Sequence, residues 1–144
     1  MKKTIDVILL LLLVLVLEIG LTGCMELDTE PLDQQVRALL DCCARQDMDG
    51  AYALMYPGSV DRDSFRESFE RLAEEYPVSG EYSLTLQNYH KNTMLGTKKE
   101  VVETAQYLLE LGEQSYEIAV EYHSDGDGSG FTNIQAANVW SLRP

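Results

Sequence analysis

The chain has little positive charge and little sulfur. Against 24 Asp and Glu it sets only 11 Lys and Arg, and its 144 residues include three Cys, two His, four Pro and one Trp. With a net charge of −13 and no basic cluster larger than Lys98-Lys99, it lacks the cationic groove that displaces counterions from a phosphate backbone, which excludes nucleic-acid binding. Cys42 and Cys43 are adjacent, so their Cα atoms lie about 3.8 Å apart, too close for the usual disulfide span; a disulfide scaffold is excluded. No HExxH, Gly-rich phosphate loop or nucleophile elbow occurs, and no cofactor or metal is expected. The longest apolar run, Val7 to Leu17, has eleven residues, where a membrane span needs about 20. What the chain does have is 45% apolar residues and eight Tyr, enough for one packed domain.

The N-terminus reads as an export signal, with Lys2 and Lys3 ahead of the apolar run and Leu21-Thr22-Gly23-Cys24 closing it. That ending resembles the lipobox of bacterial lipoprotein signal peptides, although Asp6 and Glu18 depart from the usual pattern. The resemblance implies a signal over 1–23, acylation (diacylglycerol, palmitate) at Cys24, a short tether over 24–29, and a domain over 30–144. It also implies a bacterial cell-membrane protein, lipid-anchored on the extracytoplasmic side. Each buried methylene contributes about 0.8 kcal/mol, so one acyl chain binds marginally and two hold. An acidic domain is repelled by anionic lipid, and the lipid anchor must therefore do the attaching.

Leu32, Val36, Leu39, Leu40 and Cys43 recur at helical spacing, with Thr29 as a candidate cap and Glu30, Pro31 and Asp33 suited to a first turn. A second helix is predicted from Asp49 to Tyr56, ended by Pro57-Gly58. A third runs from Asp61 to Tyr76, started either by Asp61 or by a Ser64/Glu67 capping box, and stopped by Pro77 and Gly80. From Glu81 the period falls to two: Tyr82, Leu84 and Leu86 alternate, a loop is expected over Asn92 to Lys99, and Val101 to Leu111 is a strand. Tyr116, Ile118, Val120 and Tyr122 alternate next, and Phe131 to Trp140 is the last strand. The fold class is α+β, N-terminal helices packed on a curved antiparallel sheet of about four strands. This element order resembles the NTF2-like fold, and the phrases Asp49 to Pro57 and Gly130 to Gln135 are similar to its lipoprotein versions. The resemblance implies a helical layer in the concave face of the sheet and a pocket at the open end of a cone.

Asp125-Gly-Asp-Gly-Ser-Gly130 matches the first half of a calcium loop, but Ala136 stands where a bidentate Glu is required; a hairpin turn with glycines at positive φ is expected instead. Strand parity puts His123 toward solvent with Glu117 and Glu121. It puts His90 in phase with Tyr82, Leu84 and Leu86, and Glu103 in phase with Val101, Ala105, Tyr107 and Leu109; Glu110 has the opposite parity. His90, Glu103 and Tyr107 are therefore the candidate pocket residues, and Cys24 the candidate lipidation site. Cys42 and Cys43 are expected to be buried thiols. The leading functional expectation is a non-catalytic domain that binds a protein or a small molecule. Its alternatives are a small envelope enzyme, isomerase- or dehydratase-like, with Glu103 or His90 as acid/base, and a homodimeric structural lipoprotein.

Overall fold

The computed structural model describes residues 28–75, Val78 and 81–138. The expected signal, Cys24 with the start of the tether, and Tyr76, Pro77, Gly80, Val139 and Trp140 lie outside the described residues. No helix among the described residues is long and apolar enough to cross a membrane.

Three helices precede four strands. Helix α1 spans Glu30–Arg45 and buries its whole predicted stripe, from Leu32 to Cys43, together with Cys42. Each such Val or Leu contributes roughly 1.5–3 kcal/mol. Thr29 precedes α1 without a side-chain cap; its hydroxyl instead donates to Asp33 Oδ2 at 3.4 Å. Helix α2, Met48–Ala53, starts one residue earlier than expected because Asp47 caps it, accepting the Gly50 N–H at 2.9 Å, and it ends sooner, with Leu54 as its C-cap. Helix α3 spans Arg62–Glu75, and Asp61 starts it, accepting the Ser64 N–H at 3.0 Å and the Ser64 hydroxyl at 2.6 Å.

Strands β1 (Ser83–Leu95), β2 (Lys99–Leu111), β3 (Gln114–Asp125) and β4 (Gly128–Asn138) form one antiparallel sheet in sequential order, the expected α+β meander. The loop expected over Asn92 to Lys99 is a correction: β1 continues to Leu95, and Asn92 pairs with Val102. Residues 91–99 are exposed throughout, so no apolar alternation marks this part of the hairpin. A bulge at Gln87 shifts the register, from Leu86 opposite Tyr107 to Asn88 opposite Gln106. A second bulge, at Thr132, does the same in β4. The inner face carries Leu109, Tyr107, Ala105, Tyr116, Ile118, Val120 and Phe131, all buried against α1 to α3.

The two turns at opposite ends of β3 solve their geometry differently. Gly112 has φ +60, as a tight hairpin turn requires, but neither Gly126 nor Gly128 has positive φ, contrary to expectation. Asp125 shapes that turn instead, its Oδ1 accepting the Asp127 and Gly128 N–H groups at 2.8 and 3.1 Å. Beyond α2, Met55 bridges Phe131 in parallel: the Tyr56 N–H donates to the Phe131 carbonyl and the Phe131 N–H to the Leu54 carbonyl, both at 2.9 Å. The two short phrases singled out in the sequence thus meet at the edge of β4.

Candidate functional site

Two of the three candidate pocket residues converge, and the third lies on the other side of the sheet. Glu103 points inward as its parity required, between Lys91 on β1 and Tyr122 on β3. His90 pairs with Thr104 and is exposed on the outer face, a correction whose cause is the Gln87 bulge: the extra residue inverts the alternation, so that Tyr89 takes the inward place meant for His90.

Tyr89 and Tyr107 both aim their hydroxyls at carboxylates. Tyr107, 1% exposed, donates to Asp33 Oδ1 at 2.6 Å, and Tyr89 donates to Glu103 Oε1 at 2.5 Å. Burial, then these hydrogen bonds, then the surrounding carboxylates raise both phenols well above the usual tyrosine range. Both phenols therefore remain protonated donors at neutral pH. Asp33 lies in the first turn of α1, so the Tyr107 bond joins that end of the helix to the middle of β2. This arrangement latches helix to sheet and occupies the carboxylate that a proton-transfer role would need.

Among the described residues the space between α1 and the inner face of the sheet is almost filled. An apolar void beneath α1 and α3, lined by Val36, Leu40, Leu109 and Ile118, amounts to only 20 Å³, room for one water at most. Space for a ligand lies beside it. Between α3 and β4 an open groove of 740 Å³ has a floor of Leu39, Met55, Phe69, Leu72 and Ile134, and a rim of Ser68, Arg71, Glu75, Asn133 and Gln135. Leu39, Leu72, Ile134 and Ala136 line both spaces, so the groove is the outer side of the core itself. Neither space is lined by His90, Glu103 or Tyr107. The groove residues were hidden in the sequence because Ser68 and Arg71 look like an ordinary solvated helix face. Asp33 is legible in the sequence only as a first-turn residue of α1, and Tyr89 lies one position out of phase with Leu84 and Leu86.

At the end of the sheet carrying the β3–β4 turn, Asp125 Oδ2 accepts the Tyr56 hydroxyl at 2.6 Å and lies 3.3 Å from His123 Nε2. The Tyr56 and His123 rings meet edge to face at 4.8 Å, so His123 is half-buried instead of facing solvent freely. The Tyr56 bond and the turn N–H groups lower Asp125 to about 2, while the Asp125 bond and burial raise Tyr56 to about 12. With four partners on its carboxylate, Asp125 is committed to the turn; no metal-ligand cluster occurs among the described residues. Cys42 and Cys43 are buried and free, and burial raises the Cys43 thiol to about 11.

No family model matches the chain, and no curated protein matches it. Among solved structures, it is similar to a ketosteroid isomerase-like protein from Erwinia carotovora atroseptica, at 11% identity and a TM-score of 0.47, covering 80% of this chain and 98% of that one. An NTF-2 like protein of unknown function from Shewanella oneidensis shares 16% identity at a TM-score of 0.43, covering 75% and 97%. The beta subunit of the benzoate 1,2-dioxygenase from Burkholderia mallei shares 11% at 0.45, covering 81% and 94%. Likenesses this distant say nothing of what this chain does.

Proposed function

We propose that the protein is a lipid-anchored, extracytoplasmic domain that binds a partner without transforming it, and that the groove between α3 and β4 is its contact surface. The observation that carries this reading is the groove itself: 740 Å³ of open, apolar-floored space with a polar rim lies within the size range of ligand sites. The acid/base candidates support binding over catalysis, since Glu103 accepts from Tyr89 and His90 lies on the outer face. The anchor rests on the Leu21 to Cys24 sequence, which supplies the membrane attachment that an acidic surface does not.

Thermal-shift screening of the full chain against amphipathic small molecules and apolar peptides tests the groove. A ligand at 100 times its Kd adds about 2.7 kcal/mol of stability. That gain is expected to vanish in Ser68→Trp, which fills the groove from its exposed rim, and to persist in Gly126→Ala. A gain that survives Ser68→Trp puts the ligand elsewhere. For the anchor, palmitate labelling is expected in the wild type and lost in Cys24→Ser; equal labelling of both refutes it.

A further inference from the structure

The tip of the β1–β2 hairpin is unlike the rest of the surface. Leu95 is 84% exposed and Met94 45%, the exposed large hydrophobics among the described residues. All the lysines of the described residues lie in this hairpin, Lys99 opposite Leu95, Lys98 beside it and Lys91 four residues back opposite Glu103; no Asp or Glu occurs from Lys91 to Lys99 in a chain of net charge −13, and Glu100 stands opposite Met94. Lys98 is paired with Asp127 at 2.7 Å and Glu100 follows directly, but Lys91 and Lys99 make no ion pair among the described residues. Adjacent exposed apolar side chains flanked by lysines, at the end of a strand pair that extends beyond the core, have the composition of an element that enters an anionic lipid interface.

The start of the domain lies at the same end. Asp33 is bonded to Tyr107, and the charge of Asp28 is felt at Tyr89, whereas the far end of α1 sits by the start of β1, where Tyr82 donates to Asp41 at 3.4 Å. Following β1 from Tyr82 to Tyr89 therefore runs from the C-terminal end of α1 to its N-terminal end. Six further residues carry the strand about 20 Å onward to Leu95. Cys24 is four residues from Asp28, a reach of at most about 14 Å whatever the path.

We infer that the β1–β2 hairpin tip is a membrane-contacting element: Leu95 and Met94 enter the headgroup region of an anionic bilayer while the lysines at the turn, Lys99 foremost, meet its phosphates. This rests on the proposed acylation of Cys24. A domain already tethered beside the bilayer sees it at high effective concentration, so the tip need only set orientation. The result is a domain seated with its β1–β2 end down, the groove at its side open to the aqueous phase.

The experiment uses the lipidated full-length protein in protein-free vesicles of phosphatidylglycerol and phosphatidylcholine, its acyl mass measured first. Leu95→Cys carries an environment-sensitive fluorophore, with Glu113→Cys at the opposite turn as reference; Cys42 and Cys43 are buried. Lipid-borne quenchers are expected to quench the Leu95 probe several-fold more than the Glu113 probe, and less so in vesicles of phosphatidylcholine alone. A correctly acylated protein whose two probes are equally open to aqueous iodide overturns the tip contact and leaves the anchor standing, assigning the exposed tip to a protein partner. Equal quenching in neutral and anionic vesicles overturns the role of the lysines. Absence of acyl mass on Cys24 overturns the anchor and the tip contact together.

Discussion

One added methyl group at Gly130 probes the join between the helical half and the sheet. An ideal Cβ there would lie 2.2 Å from Tyr56 N, 2.3 Å from Met55 C and 2.6 Å from Met55 O. All three are backbone atoms, so no rotamer change relieves the overlap. Relief requires lifting Leu54 to Tyr56 off β4, which breaks the two 2.9 Å hydrogen bonds to Phe131. Each such bond contributes about 1 kcal/mol, and because Phe131 is 0% exposed its orphaned N–H and carbonyl would each cost a further 1–3 kcal/mol if left dry. Partial relaxation brings the expected loss for Gly130→Ala to about 3 kcal/mol, or roughly 12 °C in Tm for a domain of this size. Thermal and urea unfolding followed by circular dichroism would measure it, with Gly126→Ala as control, since nothing lies within 4 Å of its added Cβ. A Gly130→Ala protein within 1 kcal/mol of the wild type refutes the reasoning.

Three further outcomes are expected. Tyr107→Phe leaves the buried side of the Asp33 carboxylate without its 2.6 Å donor and should destabilise the domain by about 2 kcal/mol in the same unfolding assay, with Tyr89→Phe costing less because that ring is only partly buried. Asp125, depressed to about 2, contributes stability that is complete above the unfolded carboxylate pKa near 3.9 and is lost as pH falls from there toward 2; Asp125→Asn should flatten the stability profile across that window. Cys43, raised to about 11, should react with Ellman's reagent at pH 8 only at the rate of unfolding, so native protein that labels at once would contradict its burial.

The order of helices and strands was legible because the apolar period changes from 3.6 to 2 at Glu81, and every residue of the Leu32 to Cys43 stripe is buried. The inward aim of Glu103 followed from parity alone. His90 failed the same test because Gln87 and Asn88 are both polar, so the bulge between Leu86 and Asn88 leaves no trace in the pattern. The far half of β1 was illegible for a related reason: with both faces in water, nothing constrains its residues to alternate. The groove depends on how far α3 stands from β4, a tertiary distance that no local spacing encodes. Gly130 was the one hint of the bridge to Met55, since a glycine inside a strand often marks a close backbone approach.

The parallel bridge between Met55 and Phe131 ties residues 76 positions apart. A chain made N-terminus first on a ribosome completes its helical segment long before the strand that segment must clasp. Until Gly130 and Phe131 emerge, Leu54 to Tyr56 have no edge to pair with, and Val36, Leu39 and Phe65 have no finished wall to pack against. Closure waits for that strand, which leaves the hundred-odd residues before it without their finished packing until Phe131 is in place.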